Sequence, residues 1–205
     1  MATPLIMWLS MFLTMEVQMD IKLVDISGSD EVRKIKELYF KAFPQNERIP
    51  FWFLLWKSKL SFVRFCNIYD GDNWIGFIYL IDHNKLVFIQ FFAIDDKFRS
   101  NGFGTEVIKI VKNLYSEKKI MLNIEKTDKS AENNDIRIRR KDFYIRNGFT
   151  ETDYNFLNMP FQPLFYGDNF NPNEYYTLTK CYAGAAVWYL LRLSKYIKLE
   201  PDKKT

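Results

Sequence analysis

The sequence predicts an α/β (α+β) domain whose central sheet is mixed, mostly antiparallel, and flanked by helices. Three observations carry that expectation. Residues 62–69 and 74–81 are strand-like runs separated by Asp70-Gly71-Asp72-Asn73, a strong hairpin signal. A third run, Leu86 to Ile94, follows the turn-like His83-Asn84-Lys85, so residues 62–94 read as an antiparallel meander. Beyond it, Phe103, Val107, Ile110, Val111 and Leu114 are spaced to put one apolar stripe on a helix, and Lys119 to Glu125 reads as the next strand. A strand-loop-helix-strand crossover joined to a meander gives a mixed sheet with helices packed on it.

Composition agrees with one compact unit. A chain of 205 residues suits a single domain with a sizeable core, and 18% aromatic residues is far more than a disordered chain carries. The formal net charge of +4 is too mild to demand nucleic acid and suits an anionic ligand as well. One His and two Cys, Cys66 and Cys181, are too few for a structural zinc site or a disulfide framework, so no metal is expected and a reducing cytoplasm is inferred. Neither Cys stands in a visible Cys/His arrangement, and both read as packed thiols.

In chain order, residues 1–18 read as an extension ahead of the domain, with Met19 as its beginning. No Lys or Arg precedes the apolar run, Glu16 interrupts it, and it is too short to span a bilayer. Asp20 to Ile26 is the first strand. Ser29 is a candidate cap for a helix with Asp30 and Glu31 in its first turn and Val32, Ile35, Tyr39 and Ala42 inward; Pro44 ends it. A proline-bracketed loop, residues 43–50, leads to a short aromatic helix, Phe51 to Lys57. After the fifth strand, the polar residues from Asp128 to Asp135 form a loop before a helix from Ile136 to Asn147. That helix carries Arg137, Arg139, Arg140, Lys141 and Arg146, either a solvated basic face or one turned to an anionic ligand. Gly148 stops it, and Phe149 to Leu157 continues as a strand. Met159 to Glu174 reads as a long ordered loop and Tyr175 to Thr179 as the last strand. Cys181 to Leu199 reads as a helix apolar on nearly all sides until Arg192, with a basic end at Arg192, Lys195 and Lys198; such a helix is normally buried. The expected division is therefore extension 1–18, domain 19–180, and C-terminal helix and tail 181–205.

The chemistry-bearing stretch is Arg99-Ser100-Asn101-Gly102-Phe103-Gly104, between the third meander strand and its helix. Such a loop aims N–H groups unpaired within the helix at one point near the positive end of the helix dipole, where phosphate binds. Gly102 and Gly104 remove Cβ atoms that would hold a diphosphate off, and Arg99 adds a charged donor. Two glycines also make an ordinary tight turn. The spacing is not a Walker loop, which ends Gly-Lys-Ser/Thr, nor a dinucleotide fingerprint, because position 107 is valine.

The spacing resembles the acyl-CoA loop of the GNAT N-acetyltransferase family, Arg/Gln-x-x-Gly-x-Gly/Ala after a strand. A second match, Phe143-Tyr144-Ile145-Arg146-Asn147-Gly148-Phe149, resembles the family's Phe-Tyr-x-x-x-Gly-Phe element at the end of its last core helix. The resemblance covers roughly residues 20–158 and implies acetyl-CoA as co-substrate and direct attack by an amine in a ternary complex. It further implies pantetheine bonding to the exposed strand at Phe92, Ala93 and Ile94, and a diphosphate cradle at Arg99, Ser100, Asn101, Gly102, Phe103, Gly104 and Thr105. Tyr144 matches the family's proton donor to the leaving thiolate. Glu125, at the end of the fifth strand, is the first choice of general base and Glu47 the second; Glu47 and Arg48, on the loop that lines the acceptor pocket in that family, are candidate substrate contacts. The acceptor is expected to be a small-molecule or protein amine, with neither nucleic acid nor membrane as partner, and a homodimer through the C-terminal helix is one arrangement the chain allows. Two other classes stay open: a catalytically silent acyl-CoA-binding module, and an RNA- or ribosome-associated protein using the basic helix at 137–146.

Overall fold

The computed structural model describes residues 19–156, 159–190 and 198–201. The expected extension, residues 1–18, lies outside them. Seven strands form one sheet in the order β1 (Ile21–Asp25), β2 (Val63–Asp70), β3 (Asn73–His83), β4 (Leu86–Ile94), β5 (Lys119–Glu125), β8 (Phe161–Tyr166) and β6 (Thr150–Glu151), antiparallel except where β4 meets β5. The meander is β2 (Val63–Asp70), β3 (Asn73–His83) and β4 (Leu86–Ile94), with β1 (Ile21–Asp25) paired along β2. Its two tight turns place Gly71 at φ +56° and Asn84 at φ +53°, the left-handed region that Gly and Asn tolerate best.

Helices cover both faces. On one face lie α1 (Ser29–Ala42), α2 (Phe51–Lys57) and, later, α5 (Pro172–Ala183); Ile35, Tyr39, Leu54, Phe77, Phe91 and Tyr182 share that core. On the other lie α3 (Phe103–Leu114) and α4 (Asn134–Arg146), with Ile89, Val107, Ile108, Val111, Tyr144 and Phe149 in contact. Each fully buried large apolar side chain contributes ~1.5–3 kcal/mol by leaving water. The sheet is thus a partition with a separate core on each side.

One feature of the partition positions the site. β4 and β5 (Lys119–Glu125) pair in parallel from Leu86↔Lys119 to Ile89↔Leu122 and no further. At that point β4 carries a bulge: Ile89 faces Leu80 and Phe91 faces Tyr79, leaving Gln90 as the extra residue. An inserted residue bends its strand and disrupts the ladder. Beyond it β4 stays on β3, while Asn123, Ile124 and Glu125 pair only outward, with β8 (Phe161–Tyr166). The two central strands therefore splay apart.

The C-terminal third departs from the sequence-based expectation in four places. The expected loop at 159–174 contains β8, a central strand. Its Pro163 concealed it; β6 (Thr150–Glu151) reaches only to Leu164, so one side of Pro163 has no partner strand, where a residue without an N–H is tolerated. Tyr175 to Thr179, read as a strand, lies in α5. Asn171 Oδ1 accepts from the Asn173 N–H, Pro172 sits in the first turn, and Tyr175, Leu178, Thr179 and Tyr182 are buried at helical spacing. The strand expected from Phe149 to Leu157 is two short ones, β6 and β7 (Tyr154–Phe156). The long helix from Cys181 is broken at Gly184, φ +83°; α6 (Ala185–Leu190) follows, and β9 (Leu199–Pro201) pairs with β7. Arg192 and Lys195 lie outside the described residues. At the other end, Gly28 rather than Ser29 precedes the first helix, and Glu31 accepts the N–H groups of Ser27 and Gly28.

Among the described residues no helix is long and apolar enough to cross a membrane, and no group of three His, Cys, Asp or Glu is arranged to hold a metal ion.

Gly76 lets β3 approach the end of β4, opposite Ile94: a Cβ there would collide with the Ala93 carbonyl oxygen and crowd the Ile94 Cα. Gly76→Ala is expected to cost about 1–3 kcal/mol of stability, read from the denaturant midpoint, because backbone rather than a flexible side chain must move.

Candidate active site

The glycine loop starts from a short 3-10 turn, Asp96–Phe98, capped by Asp95, whose Oδ1 accepts from the Lys97 N–H. Arg99 donates from Nε to the Ile94 carbonyl at 2.9 Å and pairs with Asp96 at 2.5 Å, and Asp96 also holds Lys41 at 2.6 Å. Ser100 (φ +67°) and Gly102 (φ +85°) turn the chain sharply into α3. The N–H groups of Thr105 and Glu106 both go to the Gly102 carbonyl, so the earlier N–H groups of the turn precede the helical ladder. Gly104 serves a packing role as well: a Cβ would come within 3.1 Å of the Phe143 ring, so the glycine seats α4 on the start of α3.

This loop lines a cavity of about 390 Å3 with Arg99, Ser100, Gly102, Phe103, Gly104 and Thr105; from α4 come Phe143, Tyr144 and Arg146. Asn101 does not line it. Phe92, Ile94, Arg99, Arg140 and Tyr144 also line a second, larger cavity of about 1190 Å3, which runs through the splay to the opposite face of the sheet and takes in Ala93, Leu122 and Asn123. The two cavities adjoin along these five shared residues, Tyr144 among them, and together make up the candidate channel. Tyr144 is 7% exposed, and burial pushes its hydroxyl up to about 12 against the opposing pull of Arg140.

On the far side of Tyr144 stands a carboxylate pair. Glu47 sits on the 3-10 turn Gln45–Glu47 between α1 and α2, and Glu125 ends β5. Their side chains are 9% and 7% exposed. Arg140 lies 3.6 Å from Glu47 and 3.9 Å from Glu125, and Arg137 lies 3.2 Å from Glu125 while donating to the Lys126 carbonyl. Glu47 Oε1 is buried without a donor. Burial pushes the Glu47 carboxyl up to about 7; Arg140 pulls it down, and the neighbouring Glu125 charge pushes it further up. A carboxyl poised there can accept a proton near neutral pH.

Of the residues singled out from sequence, the fold brings Phe92, Ala93, Ile94, the glycine loop, Tyr144 and Glu47 onto this channel. Glu125 touches Arg137 and Arg140 but lines neither cavity. Arg48 lines the wider cavity, yet its guanidinium is occupied by the carbonyls of Phe43 (2.5 Å) and Phe40 (2.8 Å) and lies over the Phe40 ring, tying the loop to α1. Sequence reasoning missed that Arg137 and Arg140 turn inward. The signal was present: positions 137, 140 and 144 follow i, i+3, i+7 and share one helix face. It also missed Asn123, Tyr175 and Tyr182, which line the inner end.

The Acetyltransferase (GNAT) family model matches residues 31–149, more than half the chain. The chain belongs to the GNAT acetyltransferase family. No curated protein matches this acetyltransferase in sequence. Its fold is shared with a GNAT-family acetyltransferase from Bacteroides thetaiotaomicron, at 21% identity and TM-score 0.62, covering 87% of this chain and 98% of that one. It is similar to an aminoglycoside 6'-N-acetyltransferase complexed with coenzyme A, at 13% identity and TM-score 0.58, over 72% of this chain and 94% of that one. It is also similar to a spermidine N-acetyltransferase from Vibrio cholerae, at 16% identity and TM-score 0.53, over 71% and 92% respectively. At these identities the likeness is one of fold.

In this enzyme Glu47 is expected to titrate near pH 7 when followed by the 13C shift of its carboxyl. Arg140→Met should move that titration to higher pH, since the cation that favours the ionised form is gone.

Proposed function

We propose that this acetyltransferase moves the acetyl group of acetyl-CoA to a primary amine by direct attack, with both substrates bound at once. The observation that carries the reading is the channel of two adjoining cavities that brings together the glycine loop, Tyr144 and Glu47. Acetyl-CoA would supply the thioester and the leaving sulfur.

The residues divide the work by their chemistry. The N–H groups of the loop between Arg99 and Thr105, which precede the helical ladder, with Arg146 beside them, suit a diphosphate. The stretch of β4 at Phe92, Ala93 and Ile94 stays on β3 but has no β5 partner, so the main-chain groups on its open side, apart from the Ile94 carbonyl that Arg99 holds, suit the amide-bearing pantetheine arm, and one N–H there would polarise the thioester carbonyl. Glu47 takes the proton from the incoming ammonium, which frees the nitrogen lone pair for attack on the carbonyl carbon. As the carbon–sulfur bond breaks, Tyr144 donates its hydroxyl proton toward sulfur, and the second proton that the nitrogen sheds as the amide forms restores the phenol. A hydroxyl held near 12 keeps its proton at neutral pH, and Arg140 steadies the transient phenolate.

Glu47 rather than Glu125 is assigned the base. Glu125 is engaged by two arginines and is off the channel; its role here is to keep a negative charge beside Glu47. The same pairs argue against a nucleic-acid role for the basic helix, because Arg137, Arg140 and Lys141 are already paired with Glu125, Glu47 and Glu151. The presence of Tyr144 and Glu47 on one channel favours turnover over a silent binding module.

Isothermal titration should find micromolar acetyl-CoA binding that an Arg99→Ala/Gly102→Asp double variant abolishes; a folded wild-type protein that binds none would sink this reading. Tyr144→Phe should lower kcat by about 10²-fold or more with little change in acetyl-CoA affinity. Activity should fall as pH drops through about 7, where Glu47 takes up its proton, and Glu47→Gln should remove that limb of the profile.

A further inference from the structure

The wider cavity does not end at the carboxylate pair. It continues on the far face of the sheet into a chamber walled by Phe88 and Phe91 of β4, Phe53 of α2, and Tyr175 and Tyr182 of α5, with Trp52 exposed at its rim. These walls are fixed against one another. Phe88 and Tyr175 meet edge to face with centroids 5.1 Å apart, Phe53 and Tyr182 at 6.1 Å, and the Tyr182 hydroxyl bonds that of Tyr79 at 3.0 Å. Two buried acceptors in this cavity lack a donor: Glu47 Oε1, and Asn123 Oδ1, whose amide nitrogen already donates to the Tyr175 hydroxyl at 3.0 Å. A buried acceptor left unpaired costs about 1–3 kcal/mol, so each marks a place where a bound molecule should bring an N–H or O–H.

We infer that the acceptor is a primary amine on a small aromatic body that carries a second hydrogen-bond donor at its far end. This rests on the acetyltransfer reading above and narrows it. The amine faces Glu47, the ring lies between the aromatic walls, and the distal donor reaches Asn123. Asn123 lies two residues before Glu125 on the same face of β5, and Arg140 links Glu125 to Glu47, so the two polar points belong to one side of the sheet. An acyl chain longer than acetyl would fill the same volume, but it brings no donor to either oxygen. A polycation fits worse still. Five basic side chains, Lys41, Arg48, Arg99, Arg139 and Arg140, line the cavity against two acidic ones, Glu47 and Asp96, and Asp96 is already held by Lys41 and Arg99. A second or third ammonium would find no free carboxylate and would meet like charge.

The test separates this inference from the reading beneath it. Tyramine, 2-phenylethylamine and spermidine are titrated in turn into the full chain saturated with CoA. Tyramine should bind at least about tenfold tighter than 2-phenylethylamine, which lacks the distal hydroxyl and leaves Asn123 unpaired, and tighter again than spermidine. Asn123→Leu should bring the tyramine to 2-phenylethylamine ratio close to one. If CoA binds but neither aromatic amine does, or spermidine matches tyramine, the aromatic assignment is overturned while acetyl transfer stands. Equal affinity for the two aromatic amines in the wild type overturns the role of Asn123, with or without a folded variant. Failure of CoA itself to bind removes both readings together.

Discussion

The molecule turns on the place where β4 and β5 part. Parallel pairing stops at Ile89↔Leu122, and the bulged Gln90 swings the rest of β4 away while β3 keeps hold of it. Main-chain groups in the middle of a sheet are thereby left without ladder partners, an arrangement that costs stability unless something else bonds to them. Everything else in the site is arranged around that opening. The glycine loop lies at the end of β4, Tyr144 lines both cavities, and the two glutamates approach from the opposite side.

The electrostatics follow from the same opening. Two carboxyl groups less than a tenth exposed would be expensive to ionise together, and Arg137 and Arg140 offset that cost from the neighbouring helix. The compensation is unequal. Glu125 receives two guanidinium groups, whereas Glu47 receives the far side of one and keeps an oxygen with no donor. Two chemically identical residues thus meet different surroundings, and the burial of Glu47 favours its protonated form.

Much of this was legible from sequence, and the boundary of legibility has physical causes. The meander, the crossover helix and the fifth strand could be read because turn residues and apolar periodicity are local signals, and the turn from Arg99 to Gly104 could be placed between strand and helix because its glycines interrupt both patterns. What failed was non-local. Pro163 argued against a central strand, and only the early end of β6 excuses it. Tyr175 to Thr179 alternates like a strand, yet Asn171 and Pro172 start a helix that packs on β3 and β4. Which arginines reach Glu47 and which reach Glu125 was likewise beyond the sequence, because that is set by the docking of α4 rather than by either glutamate's neighbours in the chain.

The partition described by the sheet has a consequence for how such an enzyme can change. The glycine loop, α3 and α4 lie on one face, where the proposed function puts the acetyl donor. The chamber wall on the other face is supplied largely by α5, which is held by contacts of its own: Lys119 with Glu174, Lys57 with the Ala183 carbonyl, and the β7–β9 pair that fastens the chain beyond it. Substitutions along the inner side of α5 could reshape what is accepted without disturbing the donor side, so the fold separates inheritance of a reaction from selection of its partner.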